Sequence, residues 1–348
     1  MMKLPAKKMV AKKKQAAKTA PAKKQAAKKA PMSPQALAAE MLRVLTSKLG
    51  PNELIMPSDV NALLASLTGP SAHDRLSDAE ADAKVRAQDL AFEAMEATSE
   101  AQARKLSKRA LRLDPDCVDA IVTLTDLDAN ATQDAIAGFK RAVEAGERSL
   151  GAAFIAEHKG QFWLLLETRP LMRALEVLAE TSKSVGLYLD AIAVYERMLE
   201  LNPNDNQSAR YPLLALYLTV GDLKGAGSLL RRYKDDAMAV FAWGRVLERL
   251  LAGDKVAAGA ALRKARTANP FVEQYMTGQM PLPDEEPEGY SPGSEEEAAL
   301  CLIELSRAWD KHREAVLWLF DQLEVERVRK APTKLTLLKT PVKGKSIH

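Results

Sequence analysis

The segment GLYLDAIAVYERMLELNPNDNQ, from Gly186 to Gln207, contains the residue pattern that most clearly indicates how this chain folds. It begins with a glycine and continues with a small residue, Ala191, a large ring, Tyr195, and a proline, Pro203. A glycine favours a tight turn between two helices, and a proline cannot continue a helix because it lacks the backbone N–H. The spacing therefore predicts a helical hairpin that turns at the glycine and ends at the proline.

This arrangement recurs along the chain at intervals of about 34 residues. The clearest second copy is GDKVAAGAALRKARTANP, from Gly253 to Pro270, which also ends in Asn-Pro. Three further copies are marked by Ala103, Ser107, Ala110 and Pro115, by Ala135, Phe139 and Ala142, and by Gly221, Ala226, Leu230 and Tyr233. One such match could arise by chance in an alanine-rich helical protein, whereas several in register predict about five stacked hairpins.

The pattern resembles the tetratricopeptide repeat, in which pairs of antiparallel helices stack into a solenoid. The resemblance implies an all-α fold that holds other macromolecules, and a generic helical bundle is the alternative. Helical periodicity predicts a repeat domain over residues 77–323, closed by a last helix pair at Ser294 to Asp310 and Arg313 to Leu323.

Three stretches resemble a narrower family, typified by the suppressor of tumorigenicity seven protein and its shorter bacterial relatives. They are RALRLDPDCVDAIVTL (Arg109 to Leu124), GQFWLLLETRPLMRALEVLA (Gly160 to Ala179) and LNPNDNQSARYPLL (Leu201 to Leu214). The resemblance covers about Arg86 to Pro270 and implies a helical repeat fold with no established reaction. Animal members carry membrane-spanning segments, but no apolar run here reaches the roughly 18 residues that a spanning helix needs.

Charge is distributed unevenly along the chain. Residues 1–31 contain 11 lysines and no acid, residues 327–348 contain 7 basic residues and no acid, and residues 32–326 have a formal charge of −14. A lysine, alanine and proline segment has too little apolar surface to offset the entropy of ordering, so we expect disorder in 1–31. Short helices and a linker are expected in 32–76, and a second basic tail in 324–348.

The lysine-rich tail can neutralise phosphates without reading sequence. The residues expected to make such contacts are Lys12, Lys13, Lys14, Lys23, Lys24, Lys28 and Lys29. The tail could instead bind the acidic body of the chain or another acidic protein, or it could improve solubility.

Tetratricopeptide-like proteins bind ligands in the groove lined by the first helix of each pair. Six residues are candidates for that groove: Arg173, Glu176, Lys183, Arg210, Tyr211 and Trp243; Glu180 shares the helix face of the first three. The alternative is that the two arginines form structural ion pairs and that Trp243 belongs to the core.

Two further segments have a composition or a spacing that differs from the rest of the repeat. Asn202, Asn204, Asp205 and Asn206 lie at a turn between repeats, where such side chains cap the next helix. The segment from Phe162 to Arg169 breaks the spacing of the repeat, which indicates either a specialised pocket or ordinary aromatic packing.

Signals for catalysis are poor. The four histidines have no neighbouring ligand residues, and there is no P-loop, dinucleotide fingerprint or nucleophile elbow. The two cysteines, Cys117 and Cys301, suit small buried hydrophobes in a reducing compartment.

We therefore expect a cytoplasmic, non-catalytic scaffold without cofactor, metal or membrane contact, which binds a protein or peptide and is tethered by its tails to an acidic polymer. The alternatives are a nucleic-acid-associated factor that binds through the tails and an enzyme with a site in Gly160 to Arg173; the oligomeric state stays open.

Overall fold

The computed structural model describes residues 79–330, apart from 284, 286 and 288. This part of the chain is all-helical, as the sequence predicts, and contains fourteen α-helices. The predicted tail 1–31 with its candidate lysines, the segment 32–76 and residues 331–348 lie outside the described residues.

The helices form two compact units, of which unit 1 ends at Ala209 and unit 2 begins at Arg210. The helices of unit 1 are α1 (Ala79–Met95), α2 (Glu100–Leu113), α3 (Val118–Asp128), α4 (Thr132–Leu150), α5 (Ala152–Glu157), α6 (Arg169–Ser184) and α7 (Tyr188–Leu201). Those of unit 2 are α8 (Arg210–Val220), α9 (Leu223–Arg232), α10 (Ala239–Leu251), α11 (Lys255–Ala268), α12 (Phe271–Met276), α13 (Glu295–Lys311) and α14 (Arg313–Lys330).

Six of the helices of unit 1 form three hairpins, α1 with α2, α3 with α4 and α6 with α7. Each hairpin packs on the next, since α2 contacts α3 and α4 contacts α6. The first helices also contact one another, α1 with α3 and α3 with α6, so they lie side by side. We call the surface that α1, α3 and α6 share the first-helix face of unit 1.

The predicted turns of unit 2 have a common construction. Gly221 and Gly253 adopt φ angles of 83° and 78°, which residues with side chains rarely adopt. The following residues, Asp222 and Asp254, cap the next helix, because each carboxylate accepts a hydrogen bond of 2.9 Å from a backbone N–H three residues on. The Gly-Asp pairs in the sequence therefore fix where α9 and α11 begin.

Small residues lie at the close crossings within hairpins. Ala191 on α7 and Ala258 on α11, small residues of the two clearest copies of the repeat, are both 0% exposed. Tyr195 and Met198 are buried beside Ala191 on α7. A larger side chain at either alanine would have to displace its neighbours.

The repeat spacing is interrupted between α4 and α6. The copy marked by Phe139 and Ala142 has no stop proline, and α4 continues to Leu150. A short helix and two 3₁₀ turns, Phe162–Leu164 and Leu166–Thr168, then lead into α6. The insertion is joined to α7 by a hydrogen bond of 3.0 Å from the Gly160 N–H to the Leu201 carbonyl.

In unit 2 the first helices, α8 and α10, are covered by another helix of the same chain. Helix α13 packs against both of them, and every side chain from Pro212 to Thr219 on α8 is buried. Helix α14 follows and contacts α13 and α10. The sequence predicted that this helix would end at Leu323, but it continues to Lys330, since no glycine or proline interrupts it before Pro332.

No helix among the described residues combines the length and the apolar character that a membrane-spanning helix requires.

Candidate binding surfaces

Asp119 on α3 is the centre of a polar network on the first-helix face of unit 1. Its side chain is 2% exposed and accepts a hydrogen bond of 2.6 Å from Gln88 Nε2 on α1. Arg173 on α6 binds both carboxylate oxygens, with Nε 2.9 Å from Oδ1 and Nη2 2.5 Å from Oδ2. The guanidinium of Arg173 also lies over the ring of Phe92 on α1, 5.8 Å from its centroid. One carboxylate thus links the three first helices.

Arg169, the first residue of α6, stands one turn before Arg173. Its Nε and Nη2 atoms donate to the carbonyl of Trp163 at 3.3 and 3.2 Å, and its guanidinium lies 5.1 Å from the centroid of that indole. Burial, together with the charge of Arg173, lowers the pKa of Arg169. Within the described residues no carboxylate pairs with this cation. Arg169 is therefore a half-buried cation without an acidic partner in this part of the chain.

Acidic side chains occupy the next two turns of α6. Gln207 donates from Nε2 to Glu176 at 2.7 Å and to the carbonyl of Met172 at 3.2 Å. Burial raises the pKa of Glu176, and the hydrogen bond from Gln207 offsets part of that effect. Glu180 accepts hydrogen bonds from the hydroxyl of Tyr195 and from Lys183 Nζ. The candidates Arg173, Glu176 and Lys183 are thus brought to one face, where each has a partner inside unit 1.

Arg210 and Tyr211 form a separate cluster at the start of α8 in unit 2. Arg210 Nε donates to Asp236 Oδ2 at 2.6 Å, and the hydroxyl of Tyr211 donates to the same oxygen at 3.1 Å. The guanidinium also lies over the rings of Tyr211 and Tyr233, at 4.3 and 5.6 Å. Burial, and then the charge of Asp236, raise the pKa of Tyr211. This is the structural ion pair that the sequence left open as the alternative for Arg210.

Trp243 was a groove candidate from the sequence, and the structure corrects that prediction. It is 0% exposed, and its Nε1 donates to the carbonyl of Asn269 at 3.3 Å. Beside it, the buried carboxylate of Glu297 on α13 accepts hydrogen bonds from the Ala239 N–H at 2.9 Å and from Asn269 Nδ2 at 3.0 Å. Because α13 covers α10, Trp243 belongs to the core of unit 2.

The segment from Phe162 to Arg169 is well packed. Phe162 and Thr168 are fully buried, and Thr168 Oγ1 donates to the carbonyls of Phe162 and Leu165. Trp163 is only half-buried, and Leu164 is exposed. The inward side chains agree with ordinary packing, while the indole of Trp163 offers apolar surface beside Arg169.

The side chains of the asparagine-rich turn after α7 form hydrogen bonds within the turn. Asp205 Oδ1 accepts a hydrogen bond of 2.7 Å from the Ala209 N–H, and Asn202 Nδ2 donates to Asn206 Oδ1 at 3.3 Å. Asp205 and Ser208 have φ angles of 54° and 60°. These contacts fit the capping role that the sequence suggested.

The described part of the chain holds no group of three or more histidine, cysteine or acidic side chains arranged to bind a metal ion. Burial raises the pKa of Cys117 to about 12 and also raises the pKa of Cys301. Both thiols are therefore held in their protonated, poorly nucleophilic form.

Comparison with protein-family models gave no match, and a comparison with curated proteins gave none either.

Proposed function

We propose that this protein is a non-catalytic, cytoplasmic scaffold of the tetratricopeptide type, which holds a peptide or a protein on the first-helix face of unit 1. The stacked hairpins, with glycine turns and small residues at the crossings, support the tetratricopeptide assignment and, within it, the resemblance to the suppressor of tumorigenicity seven family. The observation that carries the proposal is Arg169, a half-buried cation that lacks an acidic partner among the described residues.

The surroundings of Arg169 suit a carboxylate ligand that carries an apolar group. The indole of Trp163 lies against one side of the guanidinium of Arg169. The carbonyl of Trp163 accepts hydrogen bonds from Nε and Nη2 on one edge of the guanidinium, so that the other edge can bind the two oxygens of a carboxylate. Leu164, the residue after Trp163, is exposed and adds apolar surface. Because the ion pair between Arg173 and Asp119 holds α6 against α3, the site is ordered before a ligand arrives, which lowers the entropic cost of binding.

The two units differ in how open their first helices are. In unit 2 the corresponding helices, α8 and α10, are packed against α13. The candidate residues on these two helices, Arg210, Tyr211 and Trp243, already form hydrogen bonds with other residues of unit 2. In unit 1 the charged side chains of α6 remain partly exposed. The binding surface is therefore assigned to unit 1.

A random-peptide selection on the full-length protein tests this proposal. The selected peptides would be synthesised and their affinities measured for the parent, for Arg169→Ala and for Arg263→Ala, a matched control on the exposed side of α11. We expect peptides that contain an acidic residue beside an apolar one, with roughly tenfold or greater loss of affinity in Arg169→Ala and none in the control. Failure to enrich any peptide, or equal affinity for all three proteins, contradicts the proposal.

The second candidate function is contact with nucleic acid through the basic tails. It rests on the charge distribution, since residues 1–31 hold 11 lysines and no acid while 32–326 carry a formal charge of −14. A chain of this kind would bind phosphates through its tails and be repelled through its body.

A further inference from the structure

Helix α14 has two exposed apolar residues on the side that faces away from the other helices of unit 2. Ala315 and Leu319 pack inward and are buried. On the opposite side Leu317 is 63% exposed and Phe320 is 45% exposed. Exposure of a leucine and a phenylalanine to water, one turn apart on a helix face, is unfavourable. A complex in which a partner covers both side chains would therefore be stabilised.

Two charged residues flank this apolar pair on the same stripe of the helix. Arg313 precedes Leu317 by four positions, and Glu324 follows Phe320 by four. Residues three and four apart share a helix face, so Arg313, Leu317, Phe320 and Glu324 form one line, which we call the α14 stripe. Arg313 has no ion-pair partner among the described residues, and Glu324 pairs at 3.7 Å with the largely exposed Arg327.

The α14 stripe is complementary to itself when two copies of the helix run antiparallel. Its spacings are symmetric about the midpoint between Leu317 and Phe320, so a two-fold axis there sets Leu317 of one copy against Phe320 of the other. The same axis sets Arg313 against Glu324 at both ends. A stripe with like charges at its two ends would repel its copy, whereas these opposite charges attract.

We propose that the α14 stripe is a homodimerisation surface, on which a second copy of this chain packs its own α14 antiparallel about a two-fold axis. Such an interface is isologous, because the same patch serves both subunits. The charge arrangement favours a second copy over an unrelated partner, since the cation and the anion lie at the positions that the symmetry requires. The surface consists of residues of unit 2 alone and is independent of the peptide site proposed for unit 1.

Sedimentation velocity of the full-length protein over a range of concentrations tests the pairing. We expect the parent to form a dimer that Leu317→Asp converts to a monomer. Arg313→Glu and Glu324→Arg should each weaken the dimer by roughly tenfold or more, because each sets like charges against each other at both ends. The variant that combines the two substitutions restores opposite charges and should recover most of the parent affinity.

The matched control is Val256→Asp, since Val256 is 87% exposed on α11. This variant should dimerise like the parent, and circular dichroism of every variant should show unchanged helix content. A parent protein that stays monomeric up to about 100 µM, a dimer that persists in Leu317→Asp, or a combined charge exchange that fails to recover affinity would each overturn the proposal.

Discussion

Arg173 binds both carboxylate oxygens of Asp119, a residue 54 positions earlier in the chain, and thereby joins α6 to α3. The carboxylate is 2% exposed, while the guanidinium reaches the surface. A buried carboxylate without its cation is costly, because water cannot replace the lost partner. The pair is therefore both a structural link and the fixed part of the surface on which Arg169 stands.

Replacing Arg173 by methionine should reduce the free energy of unfolding by about 3–5 kcal/mol, because Asp119 then stays buried without a counter-ion and keeps only its hydrogen bond from Gln88. Combining Arg173→Met with Asp119→Leu should cost clearly less than the single substitution, since the uncompensated charge is gone. Urea denaturation measures both. Arg148→Met is the matched control, because its ion pair with Asp116 is largely exposed and solvent screening should make its contribution small. Equal losses in Arg148→Met and Arg173→Met would show that the buried pair has no special role.

Ala191→Arg and Ala258→Arg should each destabilise the protein by at least about 2 kcal/mol, because both alanines are fully buried and the larger side chain overpacks the hairpin. Ala193→Arg on α7 and Ala260→Arg on α11 are the controls, since both positions are exposed. Thermal melts compare the four variants. If the buried and the exposed substitutions lower the melting temperature equally, the register of the hairpins is wrong.

The hairpins could be predicted from the sequence because the residues that determine them lie close together along the chain. Gly253 and Asp254 turn and cap the chain, Ala258 permits a close crossing, and Pro270 follows the end of α11, all within one short stretch. The periodicity could not show that α13 packs on α8 and α10, because that contact joins distant segments of similar amphipathic character. Trp243 was misassigned for this reason.

Arg169 could be suspected but not assigned from the sequence. The broken spacing before α6 marked the segment as unusual, but the stacking of its guanidinium on Trp163 depends on the two 3₁₀ turns of the insertion. The partners of Arg173 and Arg210 are likewise set by tertiary packing, since Asp119 lies on α3 and Asp236 lies in the loop between α9 and α10.

Stability should depend on pH through Glu176. Burial raises the pKa of this carboxyl in the folded state, so the folded protein binds more protons than the unfolded chain between the ordinary and the raised pKa. The free energy of unfolding therefore falls as the pH rises through that interval. Glu176→Gln removes this contribution and keeps an oxygen that can accept from Gln207.

We expect Glu176→Gln to be more stable than the parent above the raised pKa and equal to it below the ordinary pKa of a glutamate. Denaturation at a series of pH values measures the difference between the two proteins. Glu200→Gln, at an exposed position on α7, is the control. A difference that does not vary with pH would show that the carboxyl of Glu176 titrates normally.

Any affinity for nucleic acid should reside in the basic tails. Deleting 1–31 and 331–348 removes lysines without removing acids and gives the remainder a net negative charge, which repels phosphates. Fluorescence titrations with duplexes of unrelated sequence at two salt concentrations compare the full-length and truncated proteins. We expect binding by the full-length protein that weakens steeply with salt and varies little with sequence, because the N-terminal tail has no aromatic residue or arginine for base contacts. Tight binding by the truncated protein would instead assign recognition to the helices.

Site-specific photocrosslinking of a selected peptide tests whether the peptide binds on the first-helix face of unit 1. A photoreactive amino acid would be placed at Leu164 or Glu180, which are exposed around the first-helix face of unit 1, and at Val256 or Arg263, which are exposed on α11 of unit 2. We expect peptide crosslinks from Leu164 and Glu180 that disappear when Arg169→Ala is added, and none from Val256 or Arg263. Crosslinks from the α11 positions alone, or crosslinks from Leu164 and Glu180 that persist without Arg169, would contradict binding at the proposed site.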